Sequence, residues 1–226
     1  WLASAGFSDF AGSTLVHACG GAAALAGVIV LGAREGRFGS KGEKKSMVPF
    51  AASSIPLVTL GTFLLWFGWF GFNGFSQLAM GTFDDVNAIS KIAVNTHLAG
   101  AAGTVAGATI TRLMAGKTDI VMMLNGALAG LVAITAEPLT PSPLLAILIG
   151  FVGALIMYFG TKFLESLQLD DVVGAIPVHM FAGIFGTLVV PASNPGTNFG
   201  TQLLGVISVC FFSFILSFIV FNAMKA

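Results

Sequence analysis

From Val172 to Met224 the chain carries no Asp, Glu, Lys or Arg. A run of that kind is hard to bury in a water-soluble domain and ordinary in a bilayer, where a helix needs about 20 mainly apolar residues to cross. Charges divide the rest into similar pieces: Phe10 to Ala33, Met47 to about Gly74, Ile92 to Thr111, Ile120 to Ala136 and Leu144 to Thr161. The final run is too long for one helix. The segment Pro191-Ala-Ser-Asn-Pro-Gly-Thr-Asn198 breaks it with two prolines and turn residues, giving Val172–Val190 and Thr201–Ala223. The composition agrees, since 56% of residues are hydrophobic and 9% charged, against about 25% charged in a soluble domain. The expectation is an all-α polytopic transmembrane helix bundle of seven spans, with residues 1–226 forming a single transmembrane domain.

The runs are continuously apolar, without the alternation of a membrane barrel. Gly103-Thr-Val-Ala-Gly107 and Gly126-Ala-Leu-Ala-Gly130 have the small-residue spacing of close helix packing. A net charge of zero and the absence of a basic stripe argue against nucleic-acid binding. Cys19 and Cys210 lie in apolar runs with no CxxC spacing, so no disulfide framework or zinc site is indicated. There is no phosphate-binding loop and no nucleophile elbow. No cofactor and no enzymatic activity are expected. The chain begins at Trp1 without a methionine or charged leader, so a longer protein upstream is expected.

Lysine and arginine set orientation. With alternating spans, Arg34, Arg37, Lys41, Lys44, Lys45, Arg112, Lys117, Lys162 and Lys225 fall on one side and Lys91 alone on the other. The first side is therefore assigned to the cytoplasm, with Trp1 outside and the C-terminus inside.

Two segments repeat. Asp9-Phe-Ala-Gly-Ser-Thr-Leu-Val-His17 and Asp171-Val-Val-Gly-Ala-Ile-Pro-Val-His179 both read D-x-x-G-x-x-x-V-H, at the starts of spans one and six. Those spans run in opposite directions, which is the geometry of an inverted repeat whose path lies between the halves. Eight residues of helix rise about 12 Å, so each histidine sits near the middle of a core about 30 Å thick. The two are expected to meet. A lone intramembrane histidine is often a packing residue, but two at matched depth are costly without a purpose. An imidazole pair can pass a proton. His97, in span three without a repeat partner, reads as structural or peripheral. Asp9 and Asp171 read first as helix N-terminal caps with a secondary part in shaping a pore.

Span two ends in Leu65-Trp-Phe-Gly-Trp-Phe-Gly-Phe-Asn-Gly-Phe-Ser76, where aromatic faces and a hydroxyl suit a small cation shedding water. Together with Asn95-Thr96 and the two Asp…His segments, this resembles the Amt/Mep/Rh ammonium transporter family, on its Amt branch. The resemblance covers four of the seven spans in order and implies that they are spans five to eleven of an eleven-span protein. It implies His17 and His179 as twin pore histidines, Phe72 as one of two phenylalanines gating the outer mouth, and Ser76 as the hydroxyl of the recruitment site. Trp69 matches the tryptophan of that segment, Asp9 the aspartate before the first histidine, and Thr135 a residue where span eight nears the pore. Gly174 stands where some relatives have a second acid. The resemblance also implies a homotrimer with one pore per subunit, a cell-membrane location, and room for a cytoplasmic PII-type regulator as partner.

Ammonium also fits on physical grounds. A bare cation in low dielectric is prohibitively costly, but ammonium can leave its proton at the mouth and cross as ammonia beside the histidines. Potassium has no proton to lose. The competing function is an ammonium sensor, with the same fold joined to a signalling module; a passive gas conduit of the Rh type is a third possibility.

Overall fold

The computed structural model describes residues 1–39 and 47–226. Seven helical elements follow in chain order: α1 (Ser13–Leu31), α2 (Ile55–Gln77), α3 (Phe83–Ala115), α4 (Ile120–Ile134), α5 (Pro143–Ser166), α6 (Ile176–Ala192) and α7 (Phe199–Lys225). Among the described residues the only β feature is an isolated bridge between Phe38 and Met47. Four helices, α1, α2, α5 and α7, are individually long and apolar enough to cross a membrane. Large apolar side chains such as Leu57, Phe63, Leu64, Phe67, Phe211 and Phe212 face outward, as a lipid solvent requires.

Capping chemistry sets most helix starts. Ser54, Ser142 and Asn198 each accept a hydrogen bond from the backbone N–H three residues on, opening α2, α5 and α7. Pro56 and Pro143 occupy first-turn positions, where a missing N–H costs nothing. Two expected limits move furthest. Span two begins at Ile55 rather than Met47, because the Ser54 cap and Pro56 define the start. Span three begins at Phe83 rather than Ile92, because Thr82 and Asp85 form a capping box. Asp84, Asp85 and Lys91 are thus helical. Charges mark where a chain leaves hydrocarbon, not where its helix ends.

The small-residue stripes meet as expected. A Cβ on Gly103 would overlap the Gly126 carbonyl, and one on Gly130 the Ala99 carbonyl, so α3 and α4 cross with backbones in contact. Most of α4 from Leu124 to Ile134 is buried, with Leu131 and Val132 packed against Trp69, Met157, Val178 and Ala182 of three other helices.

Helix α1 and helix α6 run antiparallel, as the inverted repeat demands. Thr14 bonds Thr187, a Cβ on Gly183 would touch Ala18, and one on Gly21 would touch Met180. Residue numbers fall along one helix as they rise along the other. The basic residues also gather as expected. Arg34 and Arg37 bind Asp170 and Glu165, Lys162 binds Glu165, and Lys225 Nζ donates to the Val30 carbonyl, all at one end of the bundle. Lys41, Lys44 and Lys45, also assigned to that side, lie outside the described residues. At the opposite end Gln202 bonds the Ser8 backbone, Asn95 the carbonyls of Pro138 and Pro141, and Asn194 the Glu137 carboxylate.

Candidate functional site: a histidine pair at the crossing of two repeats

The repeated segment builds the same local structure twice. Gly12 and Gly174 both have positive φ, 113° and 77°, which only glycine adopts cheaply. The aspartate three residues earlier then folds back over the helix start. Asp9 Oδ2 accepts from the N–H groups of Thr14 and Leu15 at 2.9 and 2.8 Å. Asp171 accepts from Gly174, Ala175 and Ile176 at 3.1, 3.0 and 2.7 Å. The capping expected of both carboxylates is therefore what the structure displays. Asp9 differs in one respect: its Oδ1 is buried without a partner. Burial pushes its carboxyl above the ordinary range, against the pull of the Leu15 and Thr14 N–H groups.

Each glycine is followed by a π-helical turn, Ser13–Ala18 in α1 and Ile176–Phe181 in α6. These turns carry His17 and His179 at their wide part. A straight rise of about 12 Å from each aspartate is therefore not what sets their depth. Residues before the glycine are not helical, and the π turn climbs less per residue than an α turn. Both segments depart from the ideal in the same way, so the depths remain matched.

The two histidines meet. Their Nδ1 atoms lie 3.2 Å apart across a sequence separation of 162 residues, with ring planes 20° apart. His17 is 9% exposed, and its Nε2 is buried without a protein partner. A cavity of about 250 Å³ is lined by Val16, His17, Gly20, Gly21, Ala175 and His179. The His17 ring also stacks on Trp69, centroids 5.0 Å apart and planes 16° apart. Phe72 closes over both, 5.4 Å from His17 and 5.8 Å from Trp69. One turn further, the Ser76 hydroxyl donates to the Phe72 carbonyl at 2.8 Å, leaving its lone pairs free. Trp69 Nε1 donates to Thr135 Oγ1 at 2.9 Å.

His17, His179, Trp69, Phe72 and Thr135 are thus brought together at this crossing, and Ser76 stands one turn beyond Phe72. His97 is not among them. It packs on Trp66 and Phe70, with centroids 5.5 and 6.2 Å away. Among the described residues no group of three or more His, Cys, Asp or Glu could hold a metal ion.

Three features escaped the sequence reading. Gly21 and Gly183 stand four residues after each histidine, so the repeat extends to V-H-x-x-x-G; a Cβ on either would overlap the opposite helix. The extension was visible to anyone carrying the comparison one helical turn further. The Thr14–Thr187 hydroxyl pair, 2.7 Å apart, locks the same crossing. Asn73 donates to Thr96 at 2.9 Å, linking two quoted motifs across α2 and α3. Neither of these pairings has a sequence signal of its own.

Comparisons with known proteins agree with this geometry. A family model described as Ammonium Transporter Family matches residues 1–226. A putative ammonium transporter of Synechocystis sp. is 42% identical over 99% of this chain and 51% of its own length. Ammonium transporter Amt2 of Archaeoglobus fulgidus is 44% identical over 83% of this chain and 41% of its own. Among solved structures, a Sensor Amt Protein superposes with a TM-score of 0.91 at 36% identity, covering 100% of this chain and 56% of that one. Candida albicans Mep2 gives 0.86 at 30% identity, covering 100% and 52%. The chain spans about half the length of the curated relatives it matches. It belongs to the ammonium transporter family.

Proposed function

We propose that the protein of which this chain is a part recruits ammonium at the Phe72–Ser76 mouth, takes its proton there, and conducts ammonia past His17 and His179 while the pair relays the proton separately. The observation that carries this is the Nδ1 to Nδ1 approach of 3.2 Å. Such a bond requires one nitrogen to donate and the other to accept. One ring then presents a bare Nε2 and the other an Nε2–H, so the pair offers an acceptor and a donor together. Ammonia has a lone pair and N–H bonds that match both. A proton taken up at the bare Nε2, passage of the shared proton across the Nδ1 contact and release of the other ring's Nε2 proton together exchange the two roles and leave both rings neutral, which is one turn of a relay.

Apolar and aromatic surroundings support the deprotonated cargo. A cation among Trp69, Phe72 and the histidines would stand among aromatic and neutral groups, a costly place for a charge. The remaining assignments stand with the same proposal: a cell-membrane location with the Arg34–Asp170 end cytoplasmic, a homotrimer with one pore per subunit, a PII-type partner, and residues 1–226 as the last seven spans of one transmembrane domain.

A second reading, an ammonium sensor, is favoured by the similarity to a Sensor Amt Protein. The test is an ammonium gradient imposed on proteoliposomes of the full-length protein, with potassium as control. The proposal expects current with ammonium and none with potassium. Current with both, or with neither, contradicts it, and a signalling domain encoded after Ala226 together with no current would favour the sensor.

A further inference from the structure

We infer that Thr135 is a positioning residue, whose hydroxyl holds the Trp69 indole flat against His17 and so fixes the ring on which the histidine pair depends. The inference deepens the twin-histidine proposal and rests on it.

Indole N–H only donates, and Trp69 is 5% exposed, so its ring orientation is set by the acceptor it finds. That acceptor is Thr135 Oγ1 at 2.9 Å. Thr135 is itself fully buried, and its hydroxyl proton is committed to the Leu131 carbonyl at 2.7 Å. The lone pairs of Oγ1 are therefore the part turned to the indole, and the bond has one polarity. Held this way, Trp69 lies 16° from the plane of His17, whose Nδ1 edge meets His179. The imidazole is held by the indole on a face and by its partner at the edge. If the indole turned, its N–H would lose Thr135 as its acceptor, and His17 would gain room to swing its Nδ1 away from His179.

The end of α4 and the residues just after it also hold the backbone leading to His17. The Thr135 carbonyl accepts from Ala11 N at 3.0 Å, the Ala136 carbonyl from Phe10 N at 2.7 Å, and the Val132 carbonyl from Ser13 Oγ at 2.6 Å. One residue thus registers both the ring packed on His17 and the chain entering α1. On the other histidine, the one ring contact recorded among the described residues is with His17 itself.

The experiment uses the full-length protein in proteoliposomes. Four variants are compared with wild type for ammonium-evoked current: Thr135→Val, which keeps the shape and removes the hydroxyl, Thr135→Ser, which keeps the hydroxyl, Trp69→Phe, and the Thr135→Val/Trp69→Phe double variant. The expected result is a loss of maximal current of about fivefold or more in Thr135→Val, with half-saturating ammonium unchanged within about twofold. Thr135→Ser stays near wild type. In the Trp69→Phe background, Thr135→Val adds little, because the bond it removes is already gone. In protein carrying 5-fluorotryptophan, the fluorine signal lost in Trp69→Phe should shift in Thr135→Val and stay in place in Thr135→Ser. Wild-type current in Thr135→Val, losses that multiply in the double variant, or a change confined to half-saturation would each overturn the inference. If Thr135→Val does not fold, Trp69→Phe decides, and wild-type current there overturns it. A His17→Leu protein with wild-type current would instead overturn the histidine proposal, while the fluorine signal would still report whether Thr135 holds Trp69.

Discussion

His17 and His179 face each other through equivalent atoms, Nδ1 to Nδ1 at 3.2 Å, on two helices that repeat the same turn in opposite directions. The symmetry of the fold passes into the chemistry of the pair, since equivalent nitrogens cannot both donate in the neutral state. Everything around them serves to bring two helices close enough for that contact.

Gly21 and Gly183 permit the approach. A Cβ on Gly21 would stand 2.6 Å from Met180 Cβ, and one on Gly183 would stand 2.5 Å from the Ser13 carbonyl. Gly21→Ala or Gly183→Ala should therefore destabilise the bundle by about 1–3 kcal/mol, the usual range for overpacking. Thermal unfolding in detergent measures it. Both glycines meet backbone or backbone-fixed atoms, Met180 N and Cβ for Gly21 and the Ser13 carbonyl for Gly183, so no rotamer change relieves either clash. Equal stability of both variants with wild type would refute the crossing as described.

At the opposite end from the Phe72 mouth, Arg34 binds Asp170 in two places, Nε to Oδ2 at 2.7 Å and Nη2 to Oδ1 at 2.9 Å. The Asp170 side chain is 1% exposed, and hydrogen bonding to Arg34 holds its pKa down from 3.8 to about 2. A depressed folded-state pKa contributes stability that is present above the unfolded value and lost as pH falls through the folded one. Wild-type protein should lose this contribution between about pH 4 and pH 2, and Asp170→Asn should lack that part of the slope. At neutral pH the substitution should cost about 1–2 kcal/mol, at the low end for charged hydrogen bonds, because the Arg34 side chain is 40% exposed. Unfolding profiles against pH for the two proteins make the comparison.

Ser76 donates its proton to the Phe72 carbonyl, which leaves its lone pairs free to accept from a donor such as the proposed ammonium. Ser76→Ala should weaken ammonium recognition by one hydrogen bond, about 0.5–1.5 kcal/mol. Half-saturating ammonium should then rise about two- to tenfold with maximal current preserved. A fall in maximal current without change in half-saturation would place the hydroxyl in the conduction step instead.

Much of this architecture is legible in the sequence because bilayer and repeat both leave strong marks. Charge-free runs gave the seven helices, and one shared motif gave the antiparallel pair and the meeting of His17 with His179. The limits of α2 and α3 were misplaced because Ser54 and Thr82 cap their helices well away from the edge of the apolar run. Asp9 and Asp171 could be read as caps from position alone, whereas the π turns that follow them have no compositional signal. The Trp69–Thr135 bond joins residues 66 apart in sequence. Its geometry depends on α2 and α4 packing together, which no local pattern encodes.

The central claim is that the two histidines act as one unit in conduction and proton relay. Current at saturating ammonium through the full-length protein, comparing wild type with His17→Leu, His179→Leu and the double variant, tests it most directly. Each single substitution should abolish the coupled current, by at least about tenfold, and the double should be no worse than either single, as for groups that work together. Wild-type current in either single variant would contradict the claim.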